Sequence, residues 1–188
     1  MKYVIVSDIH GSAGAAEKIA GHFRQAHADF LIILGDILYH GPRNPLPGGH
    51  DPKQVAALLN TFSDQIVAVR GNCDAEVDQL LLDFPCMSDY ALLSDGPRLF
   101  FLTHGHLYND NTLPFSLKAG TVCLSGHTHI WQLEKSAGLY HCNPGSVSLP
   151  KSATPGDTPP PSYAIYDNGN LGVYSLETGA PLAQERLI

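Results

Sequence analysis

The sequence predicts an α/β fold with a layered sheet, organised around the buried strand at residues 31–34. Three short apolar runs indicate this class: YVIVS at 3–7, LIIL at 31–34 and QIVAV at 65–69. Consecutive aliphatic residues in runs of this length are typical of strands buried on both faces. The second run leads directly into Gly35 and Asp36. Open α/β sheets place their active sites at such strand ends, although a lone Gly-Asp can also be a turn cap.

Length and composition limit the possible functions. The chain has 188 residues, is 44% hydrophobic and carries a formal net charge of −7. We expect one domain, 1–188, that binds neither nucleic acid nor an anionic membrane surface. No signal-peptide pattern opens the sequence, and no apolar run approaches the roughly 20 residues of a membrane span. The four cysteines form no CxxC pair, which is typical of reduced thiols in a cytoplasmic protein.

Periodicity predicts the remaining elements in order. Apolar positions at helical spacing predict a helix over 12–28, and Asp51-Pro52 is a typical start for a second helix, which ends near 62. Between them lies a long Pro/Gly-rich loop at 40–52, of the kind that often forms a lid or substrate loop. A short helix is expected over 76–82.

The second half of the chain is predicted to be mainly β-structure. Alternation and turn residues predict a hairpin from strands at 90–93 and 98–102, followed by a strand at 121–125. Two further hairpins pair 131–135 with 140–143 and 163–166 with 172–176. Exposed hairpins of this kind leave the formation of a homo-oligomer open.

Five of the predicted strands end in residues that can bind metals. The strand ends read DIH, GD, GNCD, THGH and GHTH, and they supply Asp8, His10, Asp36, Asn72, Cys73, Asp74, His104, His106, His127 and His129. Because strand ends can converge at one edge of a sheet, we expect these side chains to lie close together. Imidazole and carboxylate ligands together suit Mn²⁺, Fe²⁺ or Zn²⁺.

A carboxylate has two oxygens, so one aspartate can bridge two ions, and Asp36 on the central strand is the natural candidate. Two metal ions roughly 3.5–4 Å apart lower the pKa of a bound water and offset the charge of an in-line displacement at phosphorus. The ordered set therefore predicts a binuclear site that acts on phosphate esters through an activated hydroxide.

The same ordered set resembles the signature of the calcineurin-like metallophosphoesterases from about residue 3 to residue 149. The stretches LGDILYHGPRN, VRGNCD, FLTHGH and NPGSVSLPK are similar to small bacterial phosphodiesterases of the YfcE type. The resemblance implies a four-layer αββα sandwich of two mixed β-sheets flanked by helices. It also implies two divalent ions, usually Mn²⁺, with Ni²⁺, Fe²⁺, Zn²⁺ or Mg²⁺ as alternatives.

The resemblance also implies a ligand set for each ion. One ion would be bound by Asp8, His10, Asp36 and His129. The other would be bound by Asp36, Asn72, His104 and His127. On this assignment Asp36, Asn72 and His104 are also catalytic, together with Cys73 and Asp74.

The chain departs from the family pattern at Cys73. Most members of the family have His at this position, where it protonates the leaving group or steadies the transition state, and the following acid orients it. A thiol is a weak hydrogen-bond donor, so Cys73 is either a compromised acid or a small residue that fills the space. We therefore expect the protein to favour esters whose leaving group needs no proton, such as aryl phosphates.

Four further residues are candidates for contacts with the substrate. His40, Arg43 and Asn44 lie in the long loop, where an arginine can meet a phosphate oxygen. His106 is the second histidine of THGH and can contact substrate or the metal ligands. Ordinary solvated or structural positions are the alternative for all four.

The sequence thus predicts a metal-dependent phosphodiesterase that hydrolyses small phosphate diesters. Two alternatives stay open at this point. A phosphomonoesterase or nucleotidase would use the same ligands, because the walls of the pocket decide between substrates. A protein-interaction scaffold resembling the retromer subunit of this fold would have a degraded metal site, which the intact ligand set disfavours.

Overall fold

The computed structural model of the chain describes residues 1–109 and 112–188. Within these ranges the chain forms eleven strands and two α-helices. In chain order they are β1 (Lys2–Val6), α1 (Ala13–Ala26), β2 (Phe30–Ile33), α2 (Pro52–Asn60), β3 (Ile66–Ala68), β4 (Tyr90–Asp95), β5 (Arg98–Thr103), β6 (Val122–Leu124), β7 (Gln132–Ser136), β8 (Leu139–Asn143), β9 (Ser162–Asp167), β10 (Asn170–Ser175) and β11 (Pro181–Arg186).

The first sheet has six strands in the order β11-β10-β9-β1-β2-β3. Strands β1, β2 and β3 are parallel, with Val4 opposite Leu31 in the register. Successive side chains of a strand point to opposite faces, so Val4 and Leu31 face the helices while Ile5 and Ile32 face the second sheet.

Both α-helices cover one face of this sheet, and each begins at a side-chain cap. Ser12 Oγ accepts a hydrogen bond from the backbone N–H of Ala15 at the start of α1, and Asp51 Oδ1 accepts one from Gln54 at the start of α2. These caps satisfy N–H groups that lack a partner within the helix.

The second sheet has five strands in the order β4-β5-β6-β8-β7, of which β5, β6 and β8 are parallel. It packs face to face on the first sheet through a shared apolar layer. Tyr3 and Ile32 of the first sheet and Phe100 and Leu124 of the second are fully buried in this layer. The contacts between residues after β2 and after β5 place the carboxyl ends of the parallel strands at one edge of both sheets.

The predicted α/β class with two mixed sheets is confirmed. Both α-helices of the described residues lie on the six-stranded side. On the other side, the ring of Phe115 packs against Phe101 of β5 with a centroid separation of 6.0 Å. An irregular segment thus covers this part of the second sheet.

Two predicted elements differ from the structure, and one strand of the structure was not predicted. The segment 76–82 contains only a 3₁₀ turn at Asp78–Leu80, after which the Gln79 side chain donates hydrogen bonds to the carbonyl oxygens of Leu82 and Phe84. A further 3₁₀ turn at Ser63–Gln65 follows α2, which ends two residues before the predicted end. Strand β11 was not predicted, because its sequence PLAQER lacks apolar alternation. No helix of the described residues is long and apolar enough to cross a membrane.

Candidate metal centre

The seven residues predicted as metal ligands all follow strands at the shared edge of the two sheets. The first sheet supplies residues directly after β1, β2 and β3, and the second sheet supplies residues after β5 and β6. In chain order they are Asp8, His10, Asp36, Asn72, His104, His127 and His129. Two parallel sets of strands therefore deliver ligands from opposite sides of one site.

Most of these residues have an unusual backbone conformation, which sets the direction of their side chains. Five of the seven, Asp8, His10, Asp36, His127 and His129, have φ between +51° and +68°. Residues other than glycine rarely adopt this left-handed conformation, and such strain collects at functional sites. Hydrogen bonds hold Asp8 in it: its carbonyl oxygen accepts from the hydroxyls of Ser146 and Ser148 at 2.8 and 2.9 Å.

The two sheets approach each other closely enough to require a glycine at the site. A Cβ atom on Gly126 would lie 1.9 Å from Ser7 Oγ, so no other residue fits without displacing the end of β1. This contact brings the backbone N–H of His127 within 3.1 Å of Asp8 Oδ2, to which it donates a hydrogen bond.

Asp8, His10 and His129 form one group of potential ligands. Their side chains are 0 to 3% exposed, and one ligand atom from each lies within 4.8 Å of the others. His129 Nε2 lies 3.3 Å from Asp8 Oδ1, and His10 Nε2 lies 3.7 Å from the same oxygen. This spacing suits a single cation between them.

Asp36 lies between this group and a second one. Its Oδ2 atom is 3.8 Å from His10 Nε2 and 3.5 Å from His104 Nε2. Its Oδ1 atom accepts a hydrogen bond from the backbone N–H of Cys73 at 2.8 Å, which fixes the orientation of the carboxylate. Asp36 Oδ2 thus lies within 3.8 Å of a histidine on each side.

Asn72 and His127 both lie beside His104. The Asn72 Oδ1 atom lies 3.1 Å from His104 Nε2, at the exposed side of the site. The ring of His127 lies 5.1 Å from the ring of His104, centroid to centroid, and is half-buried. Both side chains border the cleft above the buried carboxylates.

The tautomers of three histidines suit metal binding. The Nδ1 atoms of His10, His104 and His129 lie 2.8, 2.6 and 2.6 Å from the carbonyl oxygens of Tyr39, Leu34 and Leu149. Because a carbonyl only accepts, each Nδ1 donates a proton, and in a neutral ring each Nε2 directs its lone pair at the carboxylates. Hydrogen bonds of this kind orient histidines in metal sites.

The charges at the site also fit a cation. Asp8 Oδ1 is buried and has no hydrogen-bond partner among the described residues, although a buried carboxylate oxygen is costly to leave unpaired. The largest effect on the pKa of Asp36 is burial, which raises it. The nearby His104 and the hydrogen bond from the Cys73 N–H together outweigh burial, so the pKa of Asp36 is below its ordinary value. Burial lowers the pKa of His104, but the nearby carboxylates of Asp36 and Asp8 have a larger effect. The pKa of His104 is therefore raised to about 9. Two buried carboxylates thus attract positive charge, and the residues present fit divalent cations.

Asp74 occupies a buried position behind the site. Its Oδ2 atom accepts hydrogen bonds from the backbone N–H groups of Asp36 and Gly71, and its Oδ1 atom accepts one from Ile37. Burial raises the pKa of Asp74 to about 6 against the effect of these donors. The carboxylate ties the end of β2 to the end of β3.

Cys73 lies half-buried beside Asp36. Its Sγ atom accepts a hydrogen bond from Asn72 Nδ2 at 3.2 Å. Burial and the negative charge of Asp36 raise the pKa of the thiol to about 12, so it is protonated at neutral pH.

A cleft of about 950 Å³ opens over the site. Of the four predicted substrate contacts, Arg43 and Asn44 line it. His40 packs against the rings of Tyr39 and His50 outside its lining, and His106 packs against His104 with a centroid separation of 5.3 Å. The structure does not bring these two histidines into the cleft lining.

Tyr39 and Lys151 are among the residues of the cleft wall that were not predicted individually from the sequence. Both lie within stretches that were recognised, since Tyr39 belongs to LGDILYHGPRN and Lys151 ends NPGSVSLPK. Their exposed positions carry no periodicity that could have distinguished them.

A two-sheet sandwich with carboxylates, histidines and an amide at converging strand ends defines a fold class of metal-dependent phosphoesterases. The family described as the calcineurin-like phosphoesterase superfamily domain matches residues 1–170, and the chain belongs to this family. The phosphodiesterase YfcE of Escherichia coli K12 is 45% identical over 184 residues, which cover 98% of this chain and 97% of that protein.

Two further comparisons agree with this family. A solved structure of the E. coli phosphoesterase Yfce covers 100% of both chains at 44% identity, with a TM-score of 0.94. The probable metallophosphoesterase YsnB of Bacillus subtilis 168 is 30% identical over 158 residues, or 80% of this chain and 78% of that protein.

Proposed function

We propose that this chain hydrolyses small phosphate diesters with two divalent ions bound at the strand-end site, Mn²⁺ being the usual ion. The observation that carries the proposal is the pair of buried carboxylates, Asp8 and Asp36, faced by the Nε2 atoms of three histidines. The 45% identity to a protein named a phosphodiesterase over nearly its full length supports the diester class.

On this proposal one ion is bound by Asp8, His10, Asp36 and His129. The position of Asp36 Oδ2, within 3.8 Å of His10 and 3.5 Å of His104, supports its role as the bridge to a second ion. That second ion takes its remaining ligands from Asn72, His104 and His127. Metal ions bound in this way lower the pKa of water and offset charge on phosphorus oxygens.

The other residues of the site position the ester and the ligands. Arg43 and Lys151 place two positive charges on the wall of the cleft, where a phosphate oxygen can accept from them. Asp74 fixes the backbone that carries Asp36, and Asn72 is held towards His104 by its hydrogen bond to Cys73. These contacts keep the ligand atoms in place before a substrate binds.

The protonated thiol of Cys73 is a weak donor, so the leaving group receives little help from a general acid. Aryl diesters, whose leaving group departs without a proton, should therefore be hydrolysed faster than alkyl diesters. Equal rates on both classes would show that another group supplies the proton.

The deciding experiment is a substrate panel measured on metal-free protein reloaded with Mn²⁺, Mg²⁺, Ni²⁺ or Zn²⁺. We expect Mn²⁺ to stimulate hydrolysis of bis(4-nitrophenyl) phosphate more than hydrolysis of 4-nitrophenyl phosphate. The reverse preference would support a phosphomonoesterase or nucleotidase on the same ligands. Protein that binds no metal and hydrolyses neither ester would support a scaffold role instead.

We further propose that residues 1–188 act as one domain in the cytoplasm, without nucleic acid or a membrane as a partner. Cys73, Cys86 and Cys142 are free thiols, which suits a reducing compartment. Tyr3 and Leu187 share one apolar cluster, so both ends of the chain contribute to the same core. Association into a homo-oligomer stays open, and light scattering of the purified protein would measure it.

A further inference from the structure

A second cavity, of about 380 Å³, lies beside the metal-site cleft and is apolar in character. Tyr39, Cys73 and Ala75 line both cavities, so the two share one wall. The remaining lining includes Leu38, Val77 and Leu81. Its volume falls within the roughly 300–1,000 Å³ of small-molecule sites, which are mostly apolar with few polar groups. We refer to this cavity as the apolar groove.

The walls of the apolar groove expose large side chains that a protein would ordinarily bury. Tyr39 is 45% exposed, Val77 60% and Leu81 45%. Exposed apolar side chains grouped beside a polar cleft are typical of a ligand-binding surface. Burial of an apolar group against them would be favourable, at roughly 25 cal/mol per Å² removed from water.

The wall of the groove is held in a fixed shape. Asp78 Oδ2 accepts a hydrogen bond from the backbone N–H of Ala75, and the Gln79 side chain donates to the carbonyls of Leu82 and Phe84. These contacts pin both ends of the segment that carries Val77 and Leu81. Little ordering would therefore accompany the binding of a ligand.

The charges of the two cavities favour different parts of a diester. Arg43 and Lys151 line the cleft, whereas the lining of the groove has the carboxylate of Asp78 and the imidazole of His50 but neither lysine nor arginine. A phosphate is attracted to the cleft, and a second anionic group in the groove would be repelled by Asp78. The groove is therefore suited to an uncharged group.

We propose that the apolar groove binds an aromatic ester group that stays on phosphorus during the reaction, while the phosphate lies at the metal site. This inference rests on the proposed diesterase function and adds a substrate class to it. The natural substrate would then be a diester whose retained substituent is aryl or similarly flat and apolar. Tyr39, Val77 and Leu81 would be its specificity-determining residues.

Two substitutions with a matched control test the proposal on the Mn²⁺-loaded protein. Val77→Asp and Leu81→Asp place a charge in the wall of the groove at exposed positions, where the fold tolerates it. Leu80→Asp adds the same charge between them, at a residue that is 83% exposed and does not line the groove. Each protein is assayed on bis(4-nitrophenyl) phosphate and on methyl 4-nitrophenyl phosphate.

We expect Val77→Asp and Leu81→Asp to lower kcat/KM for the bis-aryl ester by at least about tenfold, mainly by raising KM. A loss of about this size is typical when an apolar contact with a substrate is removed. The methyl ester should change less than twofold, and Leu80→Asp should change neither. Equal losses of kcat/KM on both esters, or no loss on either, would overturn the assignment of the groove. The diesterase function is tested separately, since hydrolysis of either ester by the parent protein supports it.

A binding measurement separates the groove from catalysis altogether. In methyl NMR spectra of metal-free protein, 2-naphthol should shift the signals of Val77 and Leu81 and leave that of Leu80 in place. Absence of these shifts would overturn the proposal. So would a dimer in solution that Val77→Asp dissociates, since the groove would then be an interface between copies of the chain.

Discussion

Asp74 holds the backbone of Asp36: the N–H of Asp36 donates a hydrogen bond to Asp74 Oδ2 at 2.8 Å. The same oxygen accepts from Gly71 at 2.7 Å, so one carboxylate joins the loops after β2 and β3. Gly71 fits there because a Cβ atom would lie 2.1 Å from Asp36 Oδ1. The position of the bridging candidate thus depends on a buried carboxylate that binds its backbone rather than its side chain.

Asp74→Asn should weaken both the fold and the binding of metal. An amide has one acceptor oxygen for three backbone donors, so at least one buried N–H loses its partner, at about 1–3 kcal/mol. Urea unfolding of the metal-free protein would measure this loss, and a Mn²⁺ titration would measure the lower affinity. The exposed substitution Asp83→Asn serves as the control, and equal stability of the two variants would contradict this role.

Asp36→Asn should abolish metal binding and activity together, because it removes the negative charge that both ligand groups share. His10→Ala should mainly weaken the binding of one ion, since His10 Nε2 lies beside Asp8 and Asp36, at 3.7 and 3.8 Å, on the side of the site away from His127. Elemental analysis of purified variants would give the metal content beside the rate of diester hydrolysis. The binuclear assignment fails if Asp36→Asn keeps two ions and full activity.

Removal of metal should destabilise the protein. Without cations, Asp8 and Asp36 remain buried near each other, and Asp8 Oδ1 has no described partner. Mn²⁺ at 100 times its dissociation constant should stabilise the folded state by about 2.7 kcal/mol for each bound ion, which is a rise in Tm of roughly 5–10 °C per ion. Thermal denaturation with and without Mn²⁺ measures this shift. Asp8→Asn should lose most of it and Asp64→Asn should keep it, whereas an equal shift in both variants would refute the site.

Stability should fall between about pH 9 and pH 12, and the buried thiol of Cys142 should contribute part of this fall. Burial raises the pKa of this thiol from 9.0 to about 12. The unfolded chain therefore loses the proton before the folded chain does, and the loss of stability begins as the pH rises through the unfolded pKa. At pH 10 the effect is about 1 kcal/mol.

Urea unfolding at pH 7 and pH 10 under reducing conditions tests this dependence. Cys142→Ala should have a smaller difference between the two pH values than the parent protein, by about 1 kcal/mol. Val173→Ala makes a cavity in the same cluster without a titrating group and should retain the full difference. Identical pH dependence in Cys142→Ala and the parent would show that another group is responsible.

Much of the fold followed from local patterns in the sequence. The aliphatic runs before Asp8, Asp36 and Arg70 predicted strands, because only a strand buried on both faces tolerates so few polar residues. Asp51 predicted the start of α2 through its capping preference. Strand β11 escaped prediction because an edge strand is stabilised by its neighbour β10 rather than by its own composition.

The candidate ligands were equally visible in the sequence, while their geometry was not. Polar residues directly after buried strands predicted that Asp8, Asp36 and His104 would meet. The left-handed backbone at Asp8 depends on Ser146 and Ser148, which are about 140 positions away in the chain. No local pattern could have predicted that conformation.

The sequence by itself indicated which polar residues lie at the edge of the sheets, because these residues directly follow aliphatic runs that only buried strands tolerate. The tertiary structure alone decided which atoms face each other. The tautomer of His104 follows from its contact with the carbonyl of Leu34, 70 positions away. The apolar groove was decided in the same way, since Tyr39 and Leu81 become neighbours only when the sheets and the loops after them pack together.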